Sequence, residues 1–430
     1  MTIPVTATIG HHRALLVLGL FGLSATFVES AYAMPSFARQ TGQDCASCHV
    51  GGYGPQLTPY GIKFKMGGYT DSDGKSGHIP LSAMALGSFT HTSKDMTNSN
   101  GKEVNDKFSV DQVSGFVAGA LSDHIGTFSQ LTWDGVAKTT VLDNVDVRYS
   151  NTAEIGGKDT QWGISLNNNP TAQDPFNTLG AWRFPYVASA LDGAPGPSDS
   201  PMIENLGQGV AGMTAYGYWD NSLFVEIGGY KSLQPNQLDA INADDPGRIV
   251  GVAPYWRLAW FRDERKWAYH IGLFGMYGKI DTNRVGGPTD QYTDLGIDGS
   301  YQFLGDRKDI FTFNGSYTHE STDPNQTASG TQDHLNKFDL SASWYHDQTY
   351  GLTADLFSVS DTSHSGVYAG DSNGVTFQAD WTPWGKEDSW KAPNANLRLG
   401  AQYTIYNKLD GVSKNASDNN TLFLFAWTAF

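Results

Sequence analysis

Apolar and polar residues alternate along most of this chain. From residue 79 onward the alternation recurs in segments separated by turn-like residues, as in Trp162–Leu166 and Leu295–Tyr301. One face of each segment is apolar or aromatic, and the other carries Gly, Ser, Asn, Asp, Glu or Arg. A period of two residues indicates β-strands with one apolar face. Transmembrane barrels put lipid on one side of each strand and a wet lumen on the other, so the pattern favours that architecture.

Sixteen segments of this kind are predicted, and an even number is typical of bacterial outer-membrane barrels. The predicted strands are 79–91, 108–121, 126–135, 143–151, 160–168, 209–219, 222–232, 249–261, 267–279, 292–304, 309–320, 336–347, 350–360, 373–384, 395–407 and 419–430. Their connections alternate between short and long, as expected for short periplasmic turns and long outer loops. Only 136–142 and 385–394 depart from this alternation. The fold class is therefore predicted as all-β, an antiparallel transmembrane outer-membrane β-barrel of about 16 strands.

A soluble sandwich or propeller is the alternative fold. No repeat period supports it, and aromatic residues recur near the predicted strand ends, where interfacial girdles lie in membrane barrels. Composition adds a constraint, because aromatic residues make up 13% of the chain, charged residues 17%, and the formal net charge is −16. Such an acidic chain is a poor partner for nucleic acid.

The N-terminus has the features of a secretory signal peptide. A mildly basic start at His11–Arg13 precedes the apolar run Ala14–Val28 and an A-x-A cleavage pattern at Ala31–Ala33. The apolar run is shorter than the roughly 20 residues that a spanning helix needs. We therefore expect residues 1–33 to be removed on export and the mature protein to reside in the bacterial outer membrane. An aromatic residue at Phe430, on an apolar strand, resembles the insertion signal of outer-membrane barrels.

The two cysteines of the chain both fall in the string Cys45-Ala-Ser-Cys48-His49. C-x-x-C-H is the attachment signal for a c-type haem. Each thiol can form a thioether to the haem, and His49 can ligate the iron as an axial ligand. A disulfide or half of a zinc site is the alternative. A second C-x-x-C, which a zinc site would require, is absent from the sequence, so we predict one covalently bound haem c.

Residues 34–78 separate the signal peptide from the barrel, which is assigned to 79–430. This stretch is rich in glycine and shows no alternation. A segment of this size needs a cofactor or a neighbouring domain to form a core. We therefore expect a small monohaem cytochrome c segment that packs into or against the periplasmic mouth of the barrel as a plug.

The sixth ligand of the iron has several candidates. Met66 is the first candidate, and a thioether would raise the reduction potential of the haem. His78 and Met84 are alternatives, and Met34 near the mature terminus could fold back to the iron. Ordinary roles are also plausible: Met66 as an apolar contact, His78 as a solvated linker residue and Met84 as a lipid-facing side chain. A five-coordinate iron with an open position is the remaining possibility.

The connection 169–208 is the longest between predicted strands and is too long for a simple turn. We expect it to fold into the lumen and narrow it. Several charged residues lie on the polar register of their strands, and we expect them to pair within the lumen rather than to form a dedicated iron site. They are Asp146, Arg148, Glu226, Arg257, Asp298, Asp355, Asp380 and Arg398.

Several stretches resemble the fused monohaem cytochrome c–porins of iron-oxidising bacteria. The matching motifs are Phe37–Gly42, Cys45–His49, Leu57–Tyr69, Asn167–Asp174 and Ala181–Tyr186. The resemblance implies an outer-membrane cytochrome that takes electrons from extracellular Fe(II). The electrons would pass through the single haem to a periplasmic cytochrome or similar carrier. Carried over by position, Cys45 and Cys48 hold the haem and His49 ligates its iron.

The implied activity is electron transfer, with the protein acting as an Fe(II):cytochrome c oxidoreductase. Two other functions are compatible with the same residues. One is a transport porin whose haem is structural or sensory. The other is a redox conduit for a donor other than iron, such as a reduced organic molecule.

Overall fold

A computed structural model describes residues 35–325, 332–362, 367–387, 389 and 394–430. The predicted signal peptide, 1–33, and the candidate ligand Met34 lie outside these residues. Within them the chain forms a small helical segment followed by a large antiparallel sheet. None of the described helices has the length and apolarity needed to span a membrane.

The sheet consists of sixteen long strands, which confirms the predicted number. They are β1 (Leu81–Thr92), β2 (Lys107–Ala120), β3 (Ile125–Asp134), β4 (Thr139–Ile155), β5 (Lys158–Asn167), β6 (Val210–Trp219), β7 (Leu223–Ser232), β8 (Ala253–Glu264), β9 (Trp267–Asp281), β10 (Asp290–Phe303), β11 (Asp309–Asp323), β12 (Asp333–His346), β13 (Tyr350–Asp361), β14 (Ser372–Trp381), β15 (Asn396–Lys408) and β16 (Thr421–Ala429). Shorter strands at Met96–Thr97, Glu103–Val104 and Arg248–Ile249 lie in the connections.

The sheet closes on itself because β1 pairs with both its sequence neighbour β2 and the last strand, β16. In the β1–β16 seam, Met84 is opposite Ala429 and Thr92 is opposite Thr421. Every neighbouring pair of long strands is antiparallel. Closure leaves no free edge strand. The backbone N–H and C=O groups of a free edge would find no hydrogen-bond partner in lipid.

Alternation along the strands sorts their side chains between the two faces of the barrel. In β8, Tyr255 and Arg257 are buried inside, whereas Trp256, Leu258 and Trp260 are exposed outside. The exposed large apolar side chains described by the structure are concentrated on the strands in this manner. An apolar outer face with a polar inner face is the arrangement of a transmembrane barrel.

The turn between β4 and β5 differs from its predicted form. The sequence predicts a strand over 143–151, but β4 extends to Ile155 and turns at Gly156 and Gly157. Both glycines have positive φ, +63° and +75°. Two-residue hairpins of this kind need that conformation, so the glycine pair permits the longer strand.

The segment before the barrel lies in its lumen, as predicted for a plug. It contains helices α1 (Pro35–Thr41), α2 (Cys45–Cys48) and α3 (Pro59–Met66). Its backbone is bound by side chains from separate parts of the wall. Gln302 of β10 donates to the Leu57 carbonyl at 2.7 Å, and Tyr216 of β6 donates to the Met66 carbonyl at 2.7 Å. We call residues 35–78 the plug.

The long connection between β5 and β6, residues 168–209, also folds inward and contains the short helix α4 (Met202–Asn205). Asp174, which is fully buried, accepts the backbone N–H groups of Phe176 and Thr178 at 3.1 and 2.9 Å. It also pairs with Arg257 of β8 at 3.3 Å. The predicted constriction of the lumen by this connection is confirmed, and we call residues 168–209 the inner loop. The remaining helices, α5 (Pro235–Ile241) and a 3₁₀ turn (Ala416–Asn419), lie in other connections.

Candidate functional site

The plug, the inner loop and the wall near the seam line a cavity of about 430 Å³ that opens to solvent. Small-molecule sites are usually about 300–1,000 Å³. Aromatic side chains from all three units line the cavity: Phe37, Tyr53, Phe64, Tyr69, Phe116, Phe128, Trp182, Tyr186 and Trp427. The cavity therefore has the size and the lining of a site for a largely apolar ligand.

Both cysteines and His49 line this one cavity. Cys45 and Cys48 are three residues apart in the single helical turn of α2, so they share a face. His49 ends the turn, and its N–H donates to the Cys45 carbonyl at 2.9 Å. The two thiols are free rather than joined in a disulfide. The structure thus brings the three residues of the C-x-x-C-H string together around one space, and their proposed haem chemistry stays a prediction.

The ionisation of these groups reflects their surroundings. Cys45, Cys48 and His49 are surrounded by protein, and each keeps some exposed surface where it borders the cavity. Burial raises the pKa of Cys45 to about 11 and that of Cys48 to about 12, so both are thiols at neutral pH. Burial lowers the pKa of His49 to about 4, opposed by the backbone of Gly54. The imidazole is therefore neutral, which is the form that ligates a metal.

The donor set on this cavity is the one that a c-type haem needs. Two free thiols three residues apart and a neutral imidazole lie on one aromatic cavity. A metal-ligating histidine binds the metal with one ring nitrogen and hydrogen-bonds the protein with the other, and the backbone of Gly54 is such a partner for His49. The residues therefore fit a c-type haem.

Arg398 of β15 fastens the loop after His49 to the wall. Its Nη1 donates to the Tyr53 carbonyl at 2.8 Å, and its Nε donates to Asp380 at 2.9 Å. Gly54 follows with φ +112°, and a Cβ there would lie 2.7 Å from Arg398 Nη1. Only glycine allows this close approach in that conformation.

The wall of the cavity is polar away from the cysteines. Amide side chains from β2 to β4 and from the inner loop line this part: Gln112, Gln130, Asn144, Asn169 and Gln208. Asp143 lies among them and accepts hydrogen bonds from Gln208 at 2.7 Å and Thr132 at 3.0 Å. The cavity therefore has an aromatic part around the C-x-x-C-H string and a polar part farther along the barrel wall.

Met66, the first predicted sixth ligand, does not line the cavity. Its side chain is fully buried in a separate cluster with Ile62, Phe176 and Phe224. Helix periodicity gives the reason, because Ile62 and Met66 are four residues apart and share one face of α3. Gly61 and the neighbouring Phe64 and Lys65 face the cavity instead.

The other candidate ligands are divided by the structure. His78 does not line the cavity and pairs with Asp73 at 2.9 Å. Met84 of β1 does line it and faces inward, so the alternative of a lipid-facing Met84 is wrong. Trp427 of β16 donates from Nε1 to the sulfur of Met84 at 3.2 Å.

The eight predicted lumen charges are all buried. Most of them pair as expected: Arg148 with Asp146 at 2.8 Å, Arg257 with Asp298 at 2.7 Å, and Arg398 with Asp380 at 2.7 Å. Among the residues that the structure describes, no group of three or more His, Cys, Asp or Glu could hold a metal ion. The charges thus act mainly as anchors for the plug and the inner loop.

The aromatic inner face of β16, of which Trp427 lines the cavity, was not foreseen. Phe423, Phe425 and Trp427 face inward, while Leu422 and Leu424 take the outward register. A strand that is apolar on both faces departs from the lipid-and-water pattern of the other strands. The apolar residues on both faces of β16 are therefore the feature of the sequence that indicates an apolar neighbour inside the lumen.

Comparison with known proteins adds a likeness of fold. No family model and no curated protein matches this chain. The high-pH structure of Pseudomonas putida OprB has 12% identity and a TM-score of 0.49, covering 81% of this chain and 94% of that one. OmpT of Vibrio cholerae with loop L8 deleted has 8% identity and a TM-score of 0.45, covering 81% and 97%. A BenF-like porin from Pseudomonas fluorescens Pf-5 has 11% identity and a TM-score of 0.43, covering 82% and 97%.

These identities and TM-scores are low, so the architecture is established by the pairing of the strands themselves. The closed sheet, its sixteen strands and its apolar outer face together define the fold. The chain is a porin-like β-barrel of the outer-membrane type, with its lumen filled by its own N-terminal segment and inner loop.

Proposed function

We propose that this protein is an outer-membrane electron-transfer protein that carries one haem c inside its barrel. The observation that supports it most is the shared cavity of Cys45, Cys48 and His49, which is aromatic and lies within the lumen. The cysteines would hold the group by two thioethers, and His49 would ligate its iron. When bound, the haem supplies reversible one-electron chemistry.

The rest of the chain has a defined task in this function. The strands cross an apolar layer of about 25 Å, which electrons and ions do not cross unaided. The plug and the inner loop narrow the access of bulk water to the cavity. Aromatic side chains such as Phe116 and Trp427 provide the dry wall, and Arg398 holds the loop after His49 in place.

We propose Fe(II) outside the cell as the electron donor and a periplasmic cytochrome or similar carrier as the acceptor. This part rests on the resemblance of residues 37–69 to the cytochrome–porins of iron-oxidising bacteria. Each Fe²⁺ ion would give up one electron and leave as Fe³⁺ on the outer side. The same electron would leave to the carrier on the periplasmic side, so insoluble ferric products stay outside the cell.

The cofactor is tested on the full chain, produced in a bacterium that matures c-type cytochromes and extracted from its outer membrane. We expect one haem per chain to survive acid-acetone extraction and to give the pyridine haemochrome spectrum of two thioethers. Protein that retains no porphyrin after extraction contradicts the proposal.

The donor is tested separately by anaerobic stopped-flow mixing of the oxidised protein with Fe(II). We expect the spectrum of the reduced haem to appear at a rate that rises with Fe(II) concentration. If ascorbate reduces the haem but Fe(II) does not at any pH at which the protein is stable, the conduit serves a donor other than iron.

A transport porin is the second candidate. It is favoured by the sixteen-stranded barrel, since barrels of this size form aqueous channels in porins. The network that ties the plug and the inner loop to the wall argues against a wide channel. Planar-bilayer recordings separate the two functions. Large open-channel conductance in the wild-type protein supports transport, and its absence alongside a redox-active haem supports electron transfer.

A further inference from the structure

We infer that Met84 is the sixth ligand of the haem iron and that Trp427 positions its sulfur. This inference rests on the proposed function, because it needs haem in the cavity. The plug would hold the haem through Cys45, Cys48 and His49, and the barrel wall would supply the sixth ligand. The iron would then link the plug to the wall.

The cavity wall offers few side chains that ligate haem iron. Among the described residues that line the cavity, His49 carries the one imidazole and Met84 the one thioether. Met66 and His78 are directed elsewhere. A thioether opposite a histidine is an established axial pair for c-type haems.

The register of β1 turns Met84 towards the lumen. Met84 is buried on the inner face, in line with Leu86, Ser88 and Thr90. A barrel lumen is ordinarily polar, and Ser88 and Thr90 follow that rule. Met84 and Leu86 depart from it, and Met84 is the one of these four that lines the cavity.

A hydrogen bond from Trp427 holds the sulfur of Met84 in place. The indole N–H is 3.2 Å from the sulfur, and both side chains are almost fully buried. Sulfur in a thioether is a weak acceptor with two lone pairs. One lone pair is used by the indole, which fixes the side chain, and the other remains available to a metal.

Met84 lies on the section of wall against which the loop after His49 packs. The ring of Trp427 lies 4.8 Å from that of Tyr53, and these two residues belong to one apolar cluster with Met84. Tyr53 follows His49 by four residues in the plug. The thioether and the imidazole therefore border the same end of the cavity.

Lys65, Tyr69 and Tyr53 also line the cavity but are less suited than Met84 to ligate the iron. The amine of Lys65 donates to the Ala172 carbonyl at 2.7 Å and to Asn177 at 2.8 Å, and the hydroxyl of Tyr69 donates to Asp146 at 2.7 Å. The hydroxyl of Tyr53 makes no hydrogen bond with the described residues. It would have to lose its proton to bind iron well, and burial raises its pKa well above the usual value.

The test uses the full haem-loaded protein and its Met84→Leu, Met84→His, Met66→Leu and Tyr53→Phe variants. Met to Leu conserves volume and usually preserves the fold. Optical, magnetic circular dichroism and electron paramagnetic resonance spectra of the oxidised protein report the ligands directly. We expect a low-spin wild-type iron with the sulfur-to-iron charge-transfer band, which Met84→Leu abolishes while converting the iron to high spin.

The control variants sharpen the assignment. Met84→His should restore a low-spin iron without the sulfur band and with a lower reduction potential than the wild type. Met66→Leu and Tyr53→Phe should keep the wild-type spectrum. A sulfur band that survives Met84→Leu, or that disappears with Met66→Leu, overturns the inference. A spectrum without sulfur ligation in the wild type also overturns it. Failure to retain any haem instead overturns the proposed function.

The role of Trp427 is tested by Trp427→Phe, which keeps an aromatic ring but removes the N–H donor. We expect the sulfur band to persist, while added imidazole displaces the thioether at a concentration about 2- to 10-fold lower, as for the loss of one ordinary hydrogen bond. An imidazole titration identical to that of the wild type overturns the positioning role.

Discussion

The guanidinium of Arg398 donates a hydrogen bond at 2.8 Å to the backbone carbonyl of Tyr53, a residue 345 positions earlier in the chain. The same guanidinium pairs with Asp380 at 2.7 Å, and both side chains are almost fully buried. One cation thereby joins two wall strands to the loop that follows the C-x-x-C-H string. This contact explains how the plug, a segment too small to form a core of its own, is held inside the barrel.

Arg398→Met is expected to loosen this attachment. It leaves the carboxylate of Asp380 buried without its cation, a loss that typically costs about 3–5 kcal/mol. We expect a lower midpoint of urea unfolding in detergent and an increased conductance in planar bilayers. Arg265→Ala, at an exposed arginine in the turn between β8 and β9, is the control. Equal unfolding midpoints and conductances for the two variants would contradict the anchoring role.

Replacement of the cysteines is expected to remove covalent haem in steps. Cys45→Ser and Cys48→Ser should each leave a single thioether and shift the pyridine haemochrome band to longer wavelength, whereas the double variant should release all porphyrin into acid acetone. Because the barrel pairs its strands independently of these thiols, the double variant should still migrate as a folded barrel on unheated gels. Haem retention by the double variant would show that attachment occurs elsewhere.

Asp174→Asn tests the inner loop. The amide keeps the shape of the carboxylate but loses the charge that pairs with Arg257 and accepts backbone N–H groups. Hydrogen bonds to charged groups contribute about 1.5–3 kcal/mol each, so the loop should open more often. Trypsin should then cleave faster after Arg183, which is half-buried within the loop. Asp239→Asn, at an exposed position on α5, should leave the cleavage rate unchanged.

The contact of α4 with the wall should weaken in acid. Burial alone would raise the pKa of Glu204, but Arg183 and Lys337 outweigh burial and lower it to about 2. Because the folded-state pKa lies below the unfolded value near 4.5, this stabilisation is complete above pH 4.5 and is lost as the pH falls towards 2. The shift corresponds to about 3 kcal/mol.

The measurement for Glu204 is the unfolding midpoint as a function of pH. The wild type should lose stability between about pH 4.5 and pH 2 by more than Glu204→Gln, whose side chain does not titrate. Above pH 5 the Gln variant should be the less stable of the two. Parallel pH profiles for the two proteins would rule out this carboxylate as the source of acid sensitivity.

The strands could be predicted because the alternation of their side chains is visible within each short segment of sequence. Each barrel strand repeats one rule, with an apolar side chain outward and a polar one inward, so a period of two residues is enough to find it. The inner register of Asp146, Arg148 and Arg257 follows from the same rule. The bounds of β4 were missed because two glycines allow a tight hairpin that local polarity does not reveal.

The proposed sixth ligand was harder to predict because the proposal depends on contacts between distant parts of the chain. Met66 lies close to the C-x-x-C-H string in sequence, but its face of α3 packs on Phe176 and Phe224. Met84 lies on the first barrel strand, and only the pairing of β1 with β16 brings it to Trp427. Helical periodicity could have excluded Met66, whereas the partner of Met84 required the closed sheet.

The position of the β1–β16 seam beside the cavity has a consequence for biogenesis. The plug contacts strands on several sides of the wall, including β6, β10 and β15. Each of these contacts forms only when the plug and the wall strand are both in place. We therefore expect the pairing of the first strand with the last to be favoured once the N-terminal segment lies inside the curved sheet.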